Sequence, residues 1–181
     1  MLQWIKNLFL KIKNKQQTEI FLKPAAIDDL DFIAECIKIG SLEKHFREIT
    51  KCDIKRIVAN QYNGSFLATI QSVNKKMGFL YIGKNNNIFE SKARKIFSGW
   101  EINLLYILEP YRKLGIGTEV ILRSEEIFKQ QSADKIYVRC ERKHSKAAIT
   151  LFKKLGYQDN GKVSEFPNQD LYYIILEKEL A

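Results

Sequence analysis

The run W-E-I-N-L-L-Y-I-L-E-P-Y-R-K-L-G-I-G-T-E-V-I-L-R-S-E-E-I-F-K, Trp100 to Lys129, constrains the fold more than any other part of the chain. Ile102 to Leu108 is dense in β-branched, aromatic and aliphatic residues, which reads as a buried strand. Val120, Ile121, Ile127 and Phe128 then recur at the spacing of one helical face. Between them lie Arg112, Lys113, Gly115 and Gly117, so backbone amides can face outwards with no Cβ in the way at the two glycines. A helix that begins there adds unpaired N–H donors and the positive end of its macrodipole, which together favour phosphate. The spacing is not that of a nucleotide P-loop, nor of the dinucleotide fingerprint, because Val120 stands where the latter has Gly or Ala.

A chain of 181 residues, 45% hydrophobic and 28% charged, is expected to form a single domain with a substantial core. Met1 to Lys15 reads as a basic amphipathic helix, either packed on the domain or touching a membrane surface, and residues 1–18 are set apart from a domain spanning 19–181. Glu19 to Lys23 reads as a strand stopped by Pro24. Ala26 to Ile39 reads as a helix, with Asp28 or Asp29 as its cap and Gly40 as its end. Ser41 to Asn60 is helical in pieces, with a break near Lys51 to Asp53. Asn63-Gly64 signals a turn, Phe66 to Val73 and Gly78 to Ile82 form a hairpin, and Lys84 to Gly99 carries little pattern. After the organising run come a strand over Asp134 to Cys140, a helix over Ser145 to Lys154, and strands at Val163 to Phe166 and Leu171 to Glu177 joined by Pro167 to Asp170.

The formal net charge of +9 admits nucleic acid, anionic membrane or an anionic ligand as partner. No zinc finger, RRM signature or recognition helix is present, so no specific nucleic-acid partner is expected. No apolar run is long enough to span a bilayer and no small-residue cleavage site follows the start, which predicts a cytoplasmic protein. Cys36, Cys52 and Cys140 are odd in number and widely spaced, predicting reduced, buried thiols. His45 and His144 have no Cys or His at ligand spacing, so no metal site is expected and each takes a surface or structural role.

Arg-x-x-Gly-x-Gly after an apolar strand and at the head of an amphipathic helix resembles the acyl-CoA signature of the GNAT N-acetyltransferase family. Ser145 to Tyr157, S-K-A-A-I-T-L-F-K-K-L-G-Y, resembles that family's second signature, a helix ending in Leu-Gly-aromatic. The resemblance implies a mixed α/β (α+β) acyl-CoA N-acyltransferase fold, with a mostly antiparallel central sheet flanked by helices and splayed at its fourth strand. It implies acetyl-CoA as cosubstrate and no metal. Leu105, Tyr106 and Ile107 would meet the pantetheine amides, Arg112, Lys113, Leu114, Gly115, Ile116, Gly117 and Thr118 would wrap the pyrophosphate, and Ser145 stands in for an asparagine at the start of the second-signature helix. The acceptor would be a primary amine of a small molecule or protein, attacking the thioester directly while both substrates are bound. Glu101, eleven residues before Arg112, matches the position of a general-base glutamate. The family's general-acid tyrosine falls at Phe152, which cannot donate a proton. Either Tyr106, Tyr111, Tyr157, Tyr172 or Tyr173 replaces it, or the thiolate leaves without a side-chain acid. The loss also admits a catalytically weak acyl-CoA-binding or sensing module, and the resemblance leaves a homodimer open.

Overall fold

Where strands are buried on both faces, their sequences lose the polar alternation of a half-exposed sheet. β3 (Ser65–Ser72) and β4 (Lys75–Lys84) show this, with six and seven consecutive buried residues respectively. The computed structural model describes residues 12–13, 19–46, 49–59, 65–73, 75–84, 99–166 and 171–180. The other strands are β1 (Ile12–Lys13), β2 (Glu19–Pro24), β5 (Trp100–Ile107), β6 (Lys135–Glu141), β7 (Gln158–Phe166) and β8 (Leu171–Glu179). They form one sheet in the order β1-β2-β3-β4-β5-β6-β8-β7. Every neighbouring pair is antiparallel except β5 and β6, which run parallel. Counted without the two-residue β1, the parallel pair begins at the fourth strand, where the resemblance implies the splay.

Helices α1 (Leu30–Leu42) and α2 (Lys51–Ala59) cover one face of the sheet, and α3 (Ile116–Gln130) and α4 (Lys146–Lys154) the other. Two apolar clusters follow. Ile33, Ile37, Ile54 and Ile57 pack with Leu67, Phe79 and Tyr106 on the first face. Val120, Ile121, Phe128 and Phe152 pack with Leu80, Ile102 and Ile136 on the second. Burial of this kind stabilises by about 25 cal/mol per Å² of apolar surface removed from water.

Five expectations change. The first helix begins at Leu30 behind a 3-10 turn over Ile27–Asp29, whose Ala26 amide donates to Asp29 Oδ2 at 2.9 Å. Gly40 lies inside this helix and does not end it. A Cβ on Gly40 would come 2.3 Å from Phe46 Cζ, so the glycine makes room for that ring. The break after α1 precedes Lys51 instead of falling at Lys51 to Asp53. Thr50 caps α2 with Asp53, each side chain bonded to the other's backbone amide, which is why Asp53 begins a helix and does not interrupt one. Ile12 and Lys13, expected in a helix, are extended and paired with Ile20 and Glu19. Cys36 and Cys140 are buried as expected, but Cys52 is exposed on the outer face of α2. The remainder of the N-terminal stretch, the Asn63-Gly64 turn, residues 85–98 and the Pro167 to Asp170 turn lie outside the described residues.

Gly78 pairs with Ile107, and a Cβ there would lie 2.0 Å from the Tyr106 carbonyl oxygen. Backbone cannot rotate away as a side chain can. Gly78→Ala is therefore expected to lower stability by about 1–3 kcal/mol, read as a reduced urea midpoint; an unchanged midpoint contradicts this packing.

Candidate active site

The parallel pairing of β5 and β6 lasts for three register positions, Trp100 with Ile136, Glu101 with Tyr137 and Ile102 with Val138. Beyond these the strands part. A bulge starts the divergence: Tyr81 pairs with Leu104 and Ile82 with Ile102, leaving Asn103 as the extra residue on β5. Among the described residues, β5 is paired on one side only from Asn103 onward, and a cleft of about 290 Å³ opens along its free edge. Leu105, Tyr106 and Ile107 line the cleft, as do Arg112, Gly117 and Ser145. Val138, Arg139 and Cys140 form the facing wall, with Ala147, Ala148, Leu151 and Phe152 from α4 and His45, Phe46 and Ile49 from the α1–α2 connection.

The remaining loop residues form the turn at the head of α3. Lys113 and Gly115 both hold left-handed backbone, at φ 64° and 84°. Gly115 occupies the N-cap position and has no side chain with which to cap the helix. The first intrahelical bond runs from the Glu119 amide to the Gly115 carbonyl at 3.2 Å, so the amides of Ile116, Gly117 and Thr118 have no acceptor in the helix. Lys113, Leu114 and Gly115 are exposed, Thr118 is half-buried and Ile116 is buried in the core. Gly117 matters for space: its Cβ would stand 3.2 Å from Leu151 Cδ2 and 3.5 Å from Ile107 Cδ1, narrowing the cleft where α3, α4 and β5 meet.

A polar chain crosses the cleft. Glu43 Oε2 accepts from Arg112 Nη2 at 2.8 Å and from the Tyr106 hydroxyl at 3.0 Å, and stands 3.1 Å from His45 Nε2. His45 Nδ1 lies 3.2 Å from Ser145 Oγ, across 100 residues of sequence. The Arg112 guanidinium also donates through Nε to the Ile107 carbonyl at 2.8 Å and packs over the Tyr106 ring. Arg112 thus braces the end of β5. His144 is held by Glu141, whose Oε2 accepts from its backbone amide and lies 3.0 Å from its Nδ1.

These contacts set the protonation states. Burial alone would raise the Glu43 pKa, but the hydrogen bonds from Arg112 and Tyr106 and the charges of Arg112 and His45 outweigh it, so the carboxyl lies below its usual range. Burial, then the bond to Glu43, pushes the Tyr106 phenol up to about 12. Burial is also the largest influence on His45 and lowers its pKa; Glu43 and Glu141 pull it upward, Arg112 and His144 downward, and the net value is below that of a free imidazole. His45 is neutral at pH 7.

Glu101 is fully buried and does not line the cleft. Its Oε1 accepts from Arg139 Nε at 2.7 Å and its Oε2 from Arg139 Nη2 at 3.3 Å. The pair aims a guanidinium at the wall of the cleft. Phe152 is buried edge-on against Tyr157, ring centroids 5.0 Å apart. Of the alternative tyrosines, Tyr106 and Tyr173 line the cleft, whereas Tyr111, Tyr157 and Tyr172 do not. Sequence reading missed Glu43 and Arg139, and gave His45 and His144 structural or surface roles. Both histidines line the cleft. Among the described residues no group of His, Cys, Asp and Glu is placed to hold a metal, and no helix is long and apolar enough to cross a membrane.

A model of the acetyltransferase (GNAT) family matches residues 31–157. That is well over half of the chain, and the chain belongs to this family. A curated relative, the uncharacterized protein YyaT of Bacillus subtilis (strain 168), is 26% identical over 98 residues. The match takes in 54% of this chain and 62% of YyaT, less than two thirds of its length. Among solved structures, Ard1 from Thermoplasma volcanium superposes with a TM-score of 0.69 at 12% identity, covering 90% of this chain and 98% of that one. The ribosomal-protein-S18-alanine N-acetyltransferase from Escherichia coli gives 0.65 at 11% identity, with coverages of 90% and 94%. Spermidine N-acetyltransferase from Vibrio cholerae, in complex with CoA and spermine, gives 0.67 at 14% identity, with 89% and 95%. At these identities the likeness establishes the fold.

Glu43 Oε2 accepts two hydrogen bonds, from Arg112 and Tyr106, beside His45, so Glu43→Gln is expected to destabilise by about 1–2 kcal/mol at pH 7, the value for charge-assisted bonds discounted for partial exposure. A carboxyl depressed in the folded state stabilises fully above its unfolded value, about 4.3, and that contribution is lost as pH falls through the lower folded value. The gap between wild type and variant in urea unfolding should therefore close below about pH 4.

Proposed function

We propose that the protein transfers an acetyl group from acetyl-CoA to a primary amine of a small molecule or protein, by direct attack in a ternary complex. The observation that carries this is the continuity of two features: the free edge of β5 beyond Asn103 runs into the unpaired amides that head α3. An extended amide-bearing chain ending in phosphates matches both. Backbone N–H and C=O groups along Leu105, Tyr106 and Ile107 would pair with the pantetheine amides. The amides from Leu114 to Thr118, with the Lys113 ammonium, would take the pyrophosphate at the positive end of the α3 dipole. Arg112 would serve the same loop by bracing it. Ser145 would meet the thioester end of the slot, and Glu101, buried away from the cleft, would act on the chemistry through Arg139.

CoA in complexes of the fold, including that of the Vibrio cholerae enzyme, supports acetyl-CoA as cosubstrate, and the neighbours' amine acceptors support an amine here. Cytoplasmic chemistry of this kind fits reduced, buried Cys36 and Cys140. The burial of Phe152 where the family has a tyrosine favours a second reading, an acyl-CoA sensor with little turnover. CoA thiol release measured with a panel of amines separates the two: release that depends on the amine supports the enzyme, and tight acetyl-CoA binding without release supports the sensor.

Gly115 tests the slot itself. Its φ of 84° excludes ordinary side chains, although a Cβ would meet nothing within 4 Å. Gly115→Val is expected to rearrange the turn and weaken acetyl-CoA binding at least about tenfold, equal to about 1.4 kcal/mol, in isothermal titration. Unchanged affinity would contradict the assignment.

A further inference from the structure

Resting on the transferase reading, we propose that Glu43, His45 and Ser145 form a proton relay that takes the proton of the attacking amine and returns it to the departing sulfur. Ser145 sits at the N-cap of α4, where a serine ordinarily bonds an amide of the helix's first turn. It makes no such bond. Its hydroxyl lies instead 3.2 Å from His45 Nδ1, and both residues line the cleft. On the other side of the imidazole, Nε2 lies 3.1 Å from Glu43 Oε2. The Glu43 carboxylate beside Nε2 favours by its charge the tautomer that carries the proton there, which leaves Nδ1 as the acceptor for the Ser145 hydroxyl. Carboxylate, imidazole and hydroxyl in series is the arrangement in which an imidazole takes the proton of a hydroxyl in hydrolases; here the hydroxyl would refill from the amine instead of attacking.

Among the described residues, the charged and titratable groups around the imidazole are Glu43, Arg112, Glu141 and His144. The ring is neutral at pH 7 and free to take a proton, and the resulting imidazolium would face the Glu43 carboxylate. The amine nitrogen forms its bond to the thioester carbonyl carbon, and the carbon–sulfur bond breaks. The nitrogen's proton passes to Ser145 Oγ, while the hydroxyl proton moves to His45 Nδ1. Imidazolium returns a proton through the same hydroxyl to the thiolate, leaving an amide, CoA thiol and neutral His45. No other reactant is consumed, and the tyrosine missing at Phe152 is not needed.

The test is the pH dependence of kcat/KM for thiol release from acetyl-CoA, with spermine and an alanine-leading peptide as acceptors. Wild type should show an ascending inflection below about 6.5. His45→Gln should abolish it and lower kcat about 100-fold or more, with the acetyl-CoA Kd changed less than about threefold; Ser145→Ala should do the same to kcat. Retention of rate and inflection in His45→Gln overturns the relay alone. So does an inflection that vanishes only in Glu101→Gln, or a covalent acetyl group on Ser145 in the intact mass. Absence of release with either acceptor in wild type sinks the transferase reading for these amines and the relay with it. A second measurement does not depend on turnover or on the stability of a His45 variant. The nitrogen spectrum of wild-type His45 should show the Nε2–H tautomer, with an Nδ1 resonance that moves in Ser145→Ala. The opposite tautomer, or an unmoved resonance, overturns the proposal.

Discussion

Everything about the site depends on how briefly β5 and β6 stay paired. Three parallel register positions hold the strands together at the Trp100 end, and the bulge at Asn103 then turns β5 away. A backbone edge in a protein interior must find partners, because an unpaired buried amide or carbonyl costs as much as a lost hydrogen bond. Here the far end of the edge is met by Arg112, which bonds the Ile107 carbonyl. The stretch between is left to the cleft. The splay is thus an unfilled ladder position, suited to a ligand that carries amides of its own.

Charge is arranged to match. The phosphate end of the proposed slot has open amides and the exposed Lys113. Across the cleft the neutral His45 imidazole faces Ser145, and Arg112 and Arg139 are each tied to a glutamate. Tying matters because a loose guanidinium beside an amine's path would repel an ammonium. Glu43 and Glu101 therefore do related work: each fixes an arginine. They differ in burial, and the Glu101 pair, hidden at the base of the splay, also pins β5 to β6 where they last touch.

The strand, turn and helix from Trp100 to Gln130 were legible because each rests on local rules: apolar run, left-handed glycine, helical periodicity. The order of all the longer strands and helices was legible for the same reason. Gly40 shows where local rules fail, since a glycine after an apolar face signals a helix end unless a distant ring needs its space, as Phe46 does. The site divided likewise. Leu105 to Ile107 and the α3 turn could be placed from sequence, and Ser145 from the second signature. Glu43 and His45 lie in a stretch read as helical in pieces, and Ser145, the partner of His45, is a hundred residues away; nothing local announces the contact. Arg139 was hidden for another reason: it lies inside a strand, and its pairing with Glu101 depends on β5 and β6 lying side by side, which no local pattern shows.

Hydrogen–deuterium exchange with and without coenzyme A tests the central claim most directly. If the splay is the acyl-CoA slot, saturating coenzyme A slows exchange at the amides of residues 103–107 and 114–118 and leaves β2, β3 and the outer face of α2 unchanged. Protection confined to those outer elements, or none at all at saturating ligand, would contradict it.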